Sequence, residues 1–146
     1  MEINIDTITH ASAELMGNII RTPTIRSQNL SSKINAEVFL KLENLQYTSS
    51  FKVRGAYISI TRLQEKQKKM GVIAMSAGNH AQAVAWWAKK ESVNATIIMP
   101  EHAPLSKVMK TKSLGADVIL RGRTLNESQT YVSELVNDKK LTLIHP

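Results

Sequence analysis

The chain has 146 residues, of which 42% are hydrophobic, enough apolar material to bury one core. This composition excludes a disordered or fibrous protein. There is no cysteine, so disulfides and thiolate metal sites are excluded, and a reducing compartment fits best. The net charge of +7 comes from spread basic residues, and only 5% of residues are aromatic. We therefore expect solvated helix faces and no nucleic-acid partner.

The first residues and the longest apolar run of the chain predict the cellular compartment of the protein. Residues 1–6 are acidic and lack the basic and long apolar regions of a signal peptide. The longest apolar run, residues 83–88, is too short to span a bilayer. We expect a cytoplasmic protein without a membrane partner.

In the first 70 residues, the sequence predicts three helices and one strand. An amphipathic helix is predicted to begin after Thr7, which would be its N-cap, and to end before Arg21-Thr22-Pro23. A short second helix over 27–35 and a strand over 37–42 follow. After a polar loop, Ser50 is placed to cap a helix over 51–70. The apolar positions that define the first helix are Ile8, Ala11, Leu15 and Ile19.

From residue 71 onward, short apolar runs alternate with helical segments. Strands are predicted over 72–75, 95–99, 117–120 and 141–144, separated by helices over 79–91, 104–114 and 125–137. Such βαβ alternation makes a parallel sheet with helices on both faces, an α/β fold. Ligands of such sheets bind beyond the carboxyl ends of the strands.

The first candidate site lies directly after the strand over 72–75, where a helix begins. Unpaired N–H groups and the positive end of a helix dipole make such a turn a receptor for a carboxylate or phosphate. The alternative is purely structural: a glycine turn, a capping asparagine and a satisfied surface histidine. The residues of the turn are Ser76, Ala77, Gly78, Asn79 and His80.

The second candidate is Lys52, in the first turn of the helix predicted over 51–70. A lysine at the positive end of a helix dipole, near the apolar Phe51, has its ammonium form destabilised. An amine nucleophile or Schiff-base lysine needs this environment. An ordinary solvated lysine is the alternative.

Taken together, these segments resemble a known family. Glu-Asn-Leu-Gln at 43–46, Ser-Phe-Lys-Val-Arg-Gly-Ala at 50–56 and Ser-Ala-Gly-Asn-His-Ala-Gln at 76–82 are similar to the fold-type II pyridoxal-phosphate enzymes. Within that family, the chain most resembles threonine dehydratases and serine racemases. The resemblance implies the tryptophan synthase β-like fold and pyridoxal 5'-phosphate as cofactor.

The resemblance also implies roles for individual residues. Lys52 would hold the cofactor as a Schiff base and act as the catalytic base, with Phe51 beside the cofactor ring and Asn79 bonded to its phenolic oxygen. Ser76, Ala77, Gly78, Asn79 and His80 would bind the substrate carboxylate. The implied reaction converts L-threonine to 2-oxobutanoate and ammonia, or L-serine to pyruvate.

Three positions depart from the family pattern. Ala77 stands where racemases carry a serine, and a methyl group cannot transfer a proton, which favours dehydration over racemisation. Ser49 and Ala83 stand where glycine is usual. A positive φ at Ser49 would add backbone strain.

The family's enzymes are roughly twice as long, so we expect a truncated chain. Residues 1–50 would be the N-terminal part of the large domain and 51–146 the small α/β domain, with the rest of the large domain absent. A glycine-rich phosphate loop and a metal site are missing from the sequence. The chain would then be weak or inactive alone, and a homo-oligomer is expected. The alternative is a non-catalytic protein that self-associates or binds a partner through the abandoned interface.

Overall fold

The computed structural model describes residues 3–146, apart from the side chain of Leu125. Helix α1 spans Ile5–Leu15. Its N-cap is Asn4 and not the predicted Thr7, because Asn4 Oδ1 accepts from Thr7 N–H (2.9 Å) while Thr7 Oγ1 accepts from Asn4 N–H (3.0 Å). The helix ends before Ile19, which was predicted to belong to it, and Gly17 has a φ of +79°.

A small antiparallel sheet follows α1. Strand β1 (Thr24–Arg26) pairs with strand β2 (Phe39–Lys41). The chain between them forms helix α2 (Gln28–Ile34), whose N-cap is Ser27. The helix prediction over 27–35 is confirmed, and the strand over 37–42 is shorter than predicted. Strand β1 was not predicted, because its three residues are all exposed and carry no burial pattern.

The single helix predicted over 51–70 is wrong. Helix α3 spans Lys52–Thr61 and helix α4 spans Glu65–Met70. The break comes where Gln64 starts a new helix and Gln67 Oε1 accepts from its N–H at 3.0 Å. Ser50 does not cap α3 either: Phe51 takes the N-cap position and no side chain caps the helix.

A four-stranded parallel sheet confirms the predicted α/β fold. Its strands are β3 (Val72–Met75), β4 (Ala95–Met99), β5 (Asp117–Leu120) and β6 (Thr142–Leu143), in the order β5-β4-β3-β6. The first three match their predictions at both ends, and β6 is shorter than predicted. The connecting helices are α5 (Asn79–Lys90), α6 (Leu105–Ser113) and α7 (Leu125–Lys139).

Helices cover both faces of this sheet, as predicted. Alternate strand residues point to opposite faces. On one face, Ala74 and Ile97 pack with Val53 of α3 and Ala85 of α5 in the larger core. On the other face, Ile73 and Ile98 pack with Val132 of α7. Strand β3 is therefore buried on both faces, which fixes the turn at its carboxyl end.

Candidate active site

Lys52 is the first residue of α3 and is half-buried. Its Nζ lies 5.4 Å from the centroid of the Phe51 ring, which is 58% exposed. Thr48 and Ser49, just before this turn, have φ values of 57° and 58°. Two consecutive left-handed residues without glycine strain the backbone, and they fix how the chain enters α3. The result is an amine beside an open aromatic face.

The turn after β3 carries the five residues predicted to bind a carboxylate. Gly78 occupies the N-cap of α5 and no side chain caps the helix. The Gly78 N–H donates to Ser76 Oγ at 3.1 Å, and Ala77 packs against the larger core. Asn79 is exposed as the first helical residue, so the alternative in which it caps the helix is wrong. The N–H groups of the first turn of α5 therefore have no side-chain cap, as an anion receptor requires.

His80 is buried, which contradicts its alternative as a surface residue. Its Nε2 lies 2.9 Å from the carbonyl oxygen of Ile144, just after β6. Because a carbonyl only accepts, Nε2 carries the proton and Nδ1 is left as an acceptor in the neutral ring. Burial lowers the pKa of His80, and the nearby positive charge of Lys52 lowers it further. His80 is therefore neutral at physiological pH.

Helices α3 and α5 lie side by side and bring the two predicted segments together. The buried Trp87 Nε1 of α5 donates to the carbonyl oxygen of Val53 at 2.8 Å. Tyr47, just before α3, stacks on Trp86 with ring centroids 4.6 Å apart. These contacts set the position of the first turn of α3 against α5.

Glu43 and Arg54, a residue in the first turn of α3, form an ion pair that was not predicted. Arg54 donates from Nε to Glu43 Oε2 (2.9 Å) and from Nη2 to Glu43 Oε1 (2.8 Å). The buried Thr22 also donates to Glu43 Oε1, at 2.5 Å. The hydrogen bonds from Arg54 hold the pKa of Glu43 below its usual 4.5, and Glu43 in turn raises the pKa of Arg54. Both groups are therefore charged at physiological pH.

The side chain of Gln46 connects the segment that carries Glu43 to the N-terminal segment that carries Ile20. Its buried side chain accepts from the Ile20 N–H at 3.1 Å and donates to the Ile20 carbonyl at 2.8 Å. Sequence reasoning missed these partners, although Glu43, Gln46 and Arg54 lie in stretches that carry the resemblance. Their position in those stretches was the available signal.

The residues around Lys52 fit pyridoxal phosphate. A primary amine can condense with its aldehyde, an exposed aromatic ring can lie against its pyridine ring, and the amide of Asn79 can donate to its oxygen. Ser50, next to Phe51, has a buried Oγ without a hydrogen-bond partner among residues 3–146. Buried polar atoms normally have a partner, so this orphaned hydroxyl is consistent with a ligand-binding region. Within residues 3–146 there is no cluster of His, Cys, Asp or Glu that could hold a metal ion.

The comparisons agree with this geometry. Residues 15–146 match the family described as "Pyridoxal-phosphate dependent enzyme". The chain belongs to this family.

One relative by sequence and two solved structures show which members of the family the chain is similar to. The chain is 48% identical over 145 residues to the catabolic L-threonine dehydratase TdcB of Staphylococcus aureus (strain USA300), covering 99% of this chain and 42% of that protein. The maize serine racemase structure superposes with a TM-score of 0.92 at 34% identity, covering 100% of this chain and 44% of that one. The processed threonine deaminase isoform 2 of Solanum lycopersicum gives a TM-score of 0.84 at 32% identity, with 98% and 41% covered. The chain thus spans less than half the length of these proteins.

No helix within the described residues has the length and apolar character needed to cross a membrane.

Proposed function

We propose that this chain carries the lysine-bearing part of a pyridoxal-phosphate-dependent ammonia-lyase that acts on L-threonine and L-serine. The observation that carries the proposal is the placement of Lys52. Its amine lies beside the open Phe51 ring, at the start of a helix packed against α5. The likeness to threonine dehydratase over 99% of the chain supports the choice of reaction.

Bound pyridoxal phosphate would supply the electron sink that stabilises negative charge at the substrate Cα. Lys52 would hold the cofactor, and its free amine would take the Cα proton as a general base. Within residues 76–80, the N–H groups at the start of α5 would bind the substrate carboxylate, because those of Ser76 and Gly78 already donate to the Ile98 carbonyl and to Ser76 Oγ. Asn79 would donate a hydrogen bond to the cofactor oxygen, and the neutral His80 would keep the start of α5 in place through Ile144.

Ala77 supports dehydration over racemisation. Racemisation needs a proton donor and acceptor on each face of the substrate, and the methyl group of Ala77 offers neither. Lys52 alone can then move a proton at Cα. We expect loss of the β-hydroxyl to be the main outcome with both L-threonine and L-serine.

The exposed apolar surface bears on how the site is completed. Exposed large apolar side chains of the described chain lie mainly in residues 3–51, including Ile5, Ile25, Ile34 and Phe39. Such a surface favours burial against another polypeptide. We propose that 1–50 belong to a large domain and 51–146 form the small one. Association with the remaining family segment, or with further copies of the chain, would cover the surface.

Mixing the chain with the portion of the Staphylococcus aureus dehydratase that it does not match tests this function. The measurement is the release of ammonia and 2-oxo acid from L-threonine and L-serine, with pyridoxal phosphate present. We expect activity from the mixture, lost with Lys52→Ala and kept with Lys33→Ala, a change at an exposed lysine of α2. Activity that survives Lys52→Ala, or net racemisation of serine instead of deamination, would contradict the proposal.

A further inference from the structure

The start of α3 lacks the local contacts that usually fix a helix end. No side chain caps it, and the two residues before Ser50 have left-handed φ values. An uncapped first turn leaves unpaired N–H groups and frays easily. Lys52 is the first residue of that turn, so the position of its amine depends on tertiary contacts.

Two such contacts hold the residues that follow Lys52. The Val53 carbonyl accepts from Trp87 Nε1, and the Arg54 guanidinium makes two hydrogen bonds to Glu43. Arg54 and Glu43 are partly shielded from solvent, with 31% and 15% of their side chains exposed. A bidentate pair with this burial fixes geometry better than an exposed one.

Glu43 is itself held by the N-terminal segment. Thr22 donates to its Oε1, and Lys41 Nζ donates to the Thr22 carbonyl at 2.5 Å. Arg54 therefore attaches the first turn of α3 to an anchored carboxylate. Residues two apart on a helix point to different sides, so Arg54 acts through the backbone and does not touch the Lys52 amine.

We propose that the Glu43–Arg54 ion pair is a positioning device that orients Lys52 toward its aldehyde partner. This inference rests on the proposed function, because it assumes that Lys52 reacts with pyridoxal phosphate. Neither residue takes part in proton transfer. Their effect is on the fraction of time that the amine is in the reactive orientation.

The chain offers a matched control at the other end of α3. Arg62 makes the same bidentate arrangement with Glu14, at 3.1 Å and 2.6 Å, eight residues beyond Arg54. Breaking that pair removes the same chemistry from the same helix without touching the first turn. A general loss of α3 stability would affect both pairs alike.

The experiment uses pyridoxal phosphate as the probe and does not depend on turnover. Each protein is incubated with it, reduced with borohydride and digested, and the adduct on Lys52 is measured by mass spectrometry relative to that on Lys33. We expect Arg54→Ala and Glu43→Gln to lower this ratio about tenfold, since small misplacements have large effects on reactivity. Arg54→Lys should give an intermediate ratio, and Arg62→Ala should leave it unchanged.

The outcomes separate the two proposals. Wild-type protein without preference for Lys52 would contradict the proposed function and this inference with it. A wild-type preference that Arg54→Ala keeps as fully as Arg62→Ala would overturn this inference alone. If circular dichroism shows that Arg54→Ala does not fold, Arg54→Lys takes its place, because a lysine keeps the positive charge but cannot make the bidentate contact with Glu43. A ratio below that of wild type in Arg54→Lys supports the inference, and a ratio equal to that of wild type overturns it.

Discussion

The indole Nε1 of Trp87 donates a 2.8 Å hydrogen bond to the main-chain carbonyl of Val53. It joins the helix that starts at the predicted anion-binding turn to the residue after Lys52. The Trp87 side chain is only 4% exposed, and its ring packs edge-on against Tyr57 with centroids 4.7 Å apart. One side chain thus sets the spacing between the two halves of the candidate site.

Trp87→Phe should therefore destabilise the protein. Removing the N–H leaves the packing largely in place but deletes a buried hydrogen bond, at a cost of about 1–2 kcal/mol. Urea unfolding gives the free energy of unfolding. Trp86→Phe is the control, because Trp86 is half-buried and stacks on Tyr47 with no hydrogen bond from its ring within residues 3–146. Equal losses in the two variants would show that ring packing, not the hydrogen bond, is responsible.

Ser49→Gly should stabilise the protein. Ser49 has a φ of 58°, where a side chain is unfavourable and glycine is not. Relief of that strain outweighs the greater freedom of the unfolded chain, giving a net gain of roughly 0.5–1 kcal/mol. Thermal unfolding measures it. Ser133→Gly, at an exposed position inside α7, should act in the opposite direction, since glycine disfavours helix interiors. A lower melting temperature for Ser49→Gly would refute the strain argument.

Glu43→Gln should lower stability in a pH-dependent way. The pKa of Glu43 is below 4.5 in the folded state because of Arg54, so its contribution is complete at higher pH and lost as pH falls through the folded-state pKa. At pH 7 the loss should be on the order of 1–3 kcal/mol, since a shielded charged hydrogen bond is removed. Denaturant unfolding of both proteins from pH 7 to pH 3 tests it. The difference between wild type and variant should shrink below pH 4.5, and a constant difference would disprove the linkage.

Alanine substitutions at Gly122 and Gly55 should change the free energy of unfolding in opposite directions. At Gly122, with a φ of +88°, a Cβ would lie 2.7 Å from the Ser128 backbone nitrogen, so Gly122→Ala should be strongly destabilising. At Gly55, inside α3, a Cβ meets nothing within 4 Å, so Gly55→Ala should stabilise by roughly 0.5–1 kcal/mol. Thermal unfolding of the pair compares them directly. Destabilisation by Gly55→Ala would indicate a contact that the isolated chain does not show.

The sequence predicted the parallel sheet well, because its strands are apolar runs bounded by clear turns. Val72–Met75 and Ala95–Met99 are buried on both faces, and burial produces the continuous hydrophobic pattern that prediction uses. Strand β1 has no such pattern. Its pairing with β2 depends on a partner thirteen or more residues away in sequence, which local periodicity does not encode.

The candidate site was predictable from motif order but not in its supporting contacts. Lys52, Asn79 and His80 stand in recognisable stretches, whereas the bond from His80 to Ile144 joins residues 64 positions apart. The Ser50 cap failed for a similar reason, since the preceding Thr48 and Ser49 turn sends the chain into α3 from a direction that leaves the hydroxyl unpaired. Contacts of this kind arise from packing, which sequence spacing does not specify.

Lys52 is the residue proposed to hold the cofactor. The most direct test is intact and peptide mass spectrometry of the wild-type chain after incubation with pyridoxal phosphate and borohydride reduction, beside Lys52→Ala and Lys33→Ala. We predict that Lys52 carries most of the reduced adduct in wild type and in Lys33→Ala, and that the yield in Lys52→Ala falls to the background level of exposed lysines such as Lys33. An adduct spread evenly over exposed lysines, or one that persists at full yield in Lys52→Ala, would show that Lys52 does not hold the cofactor.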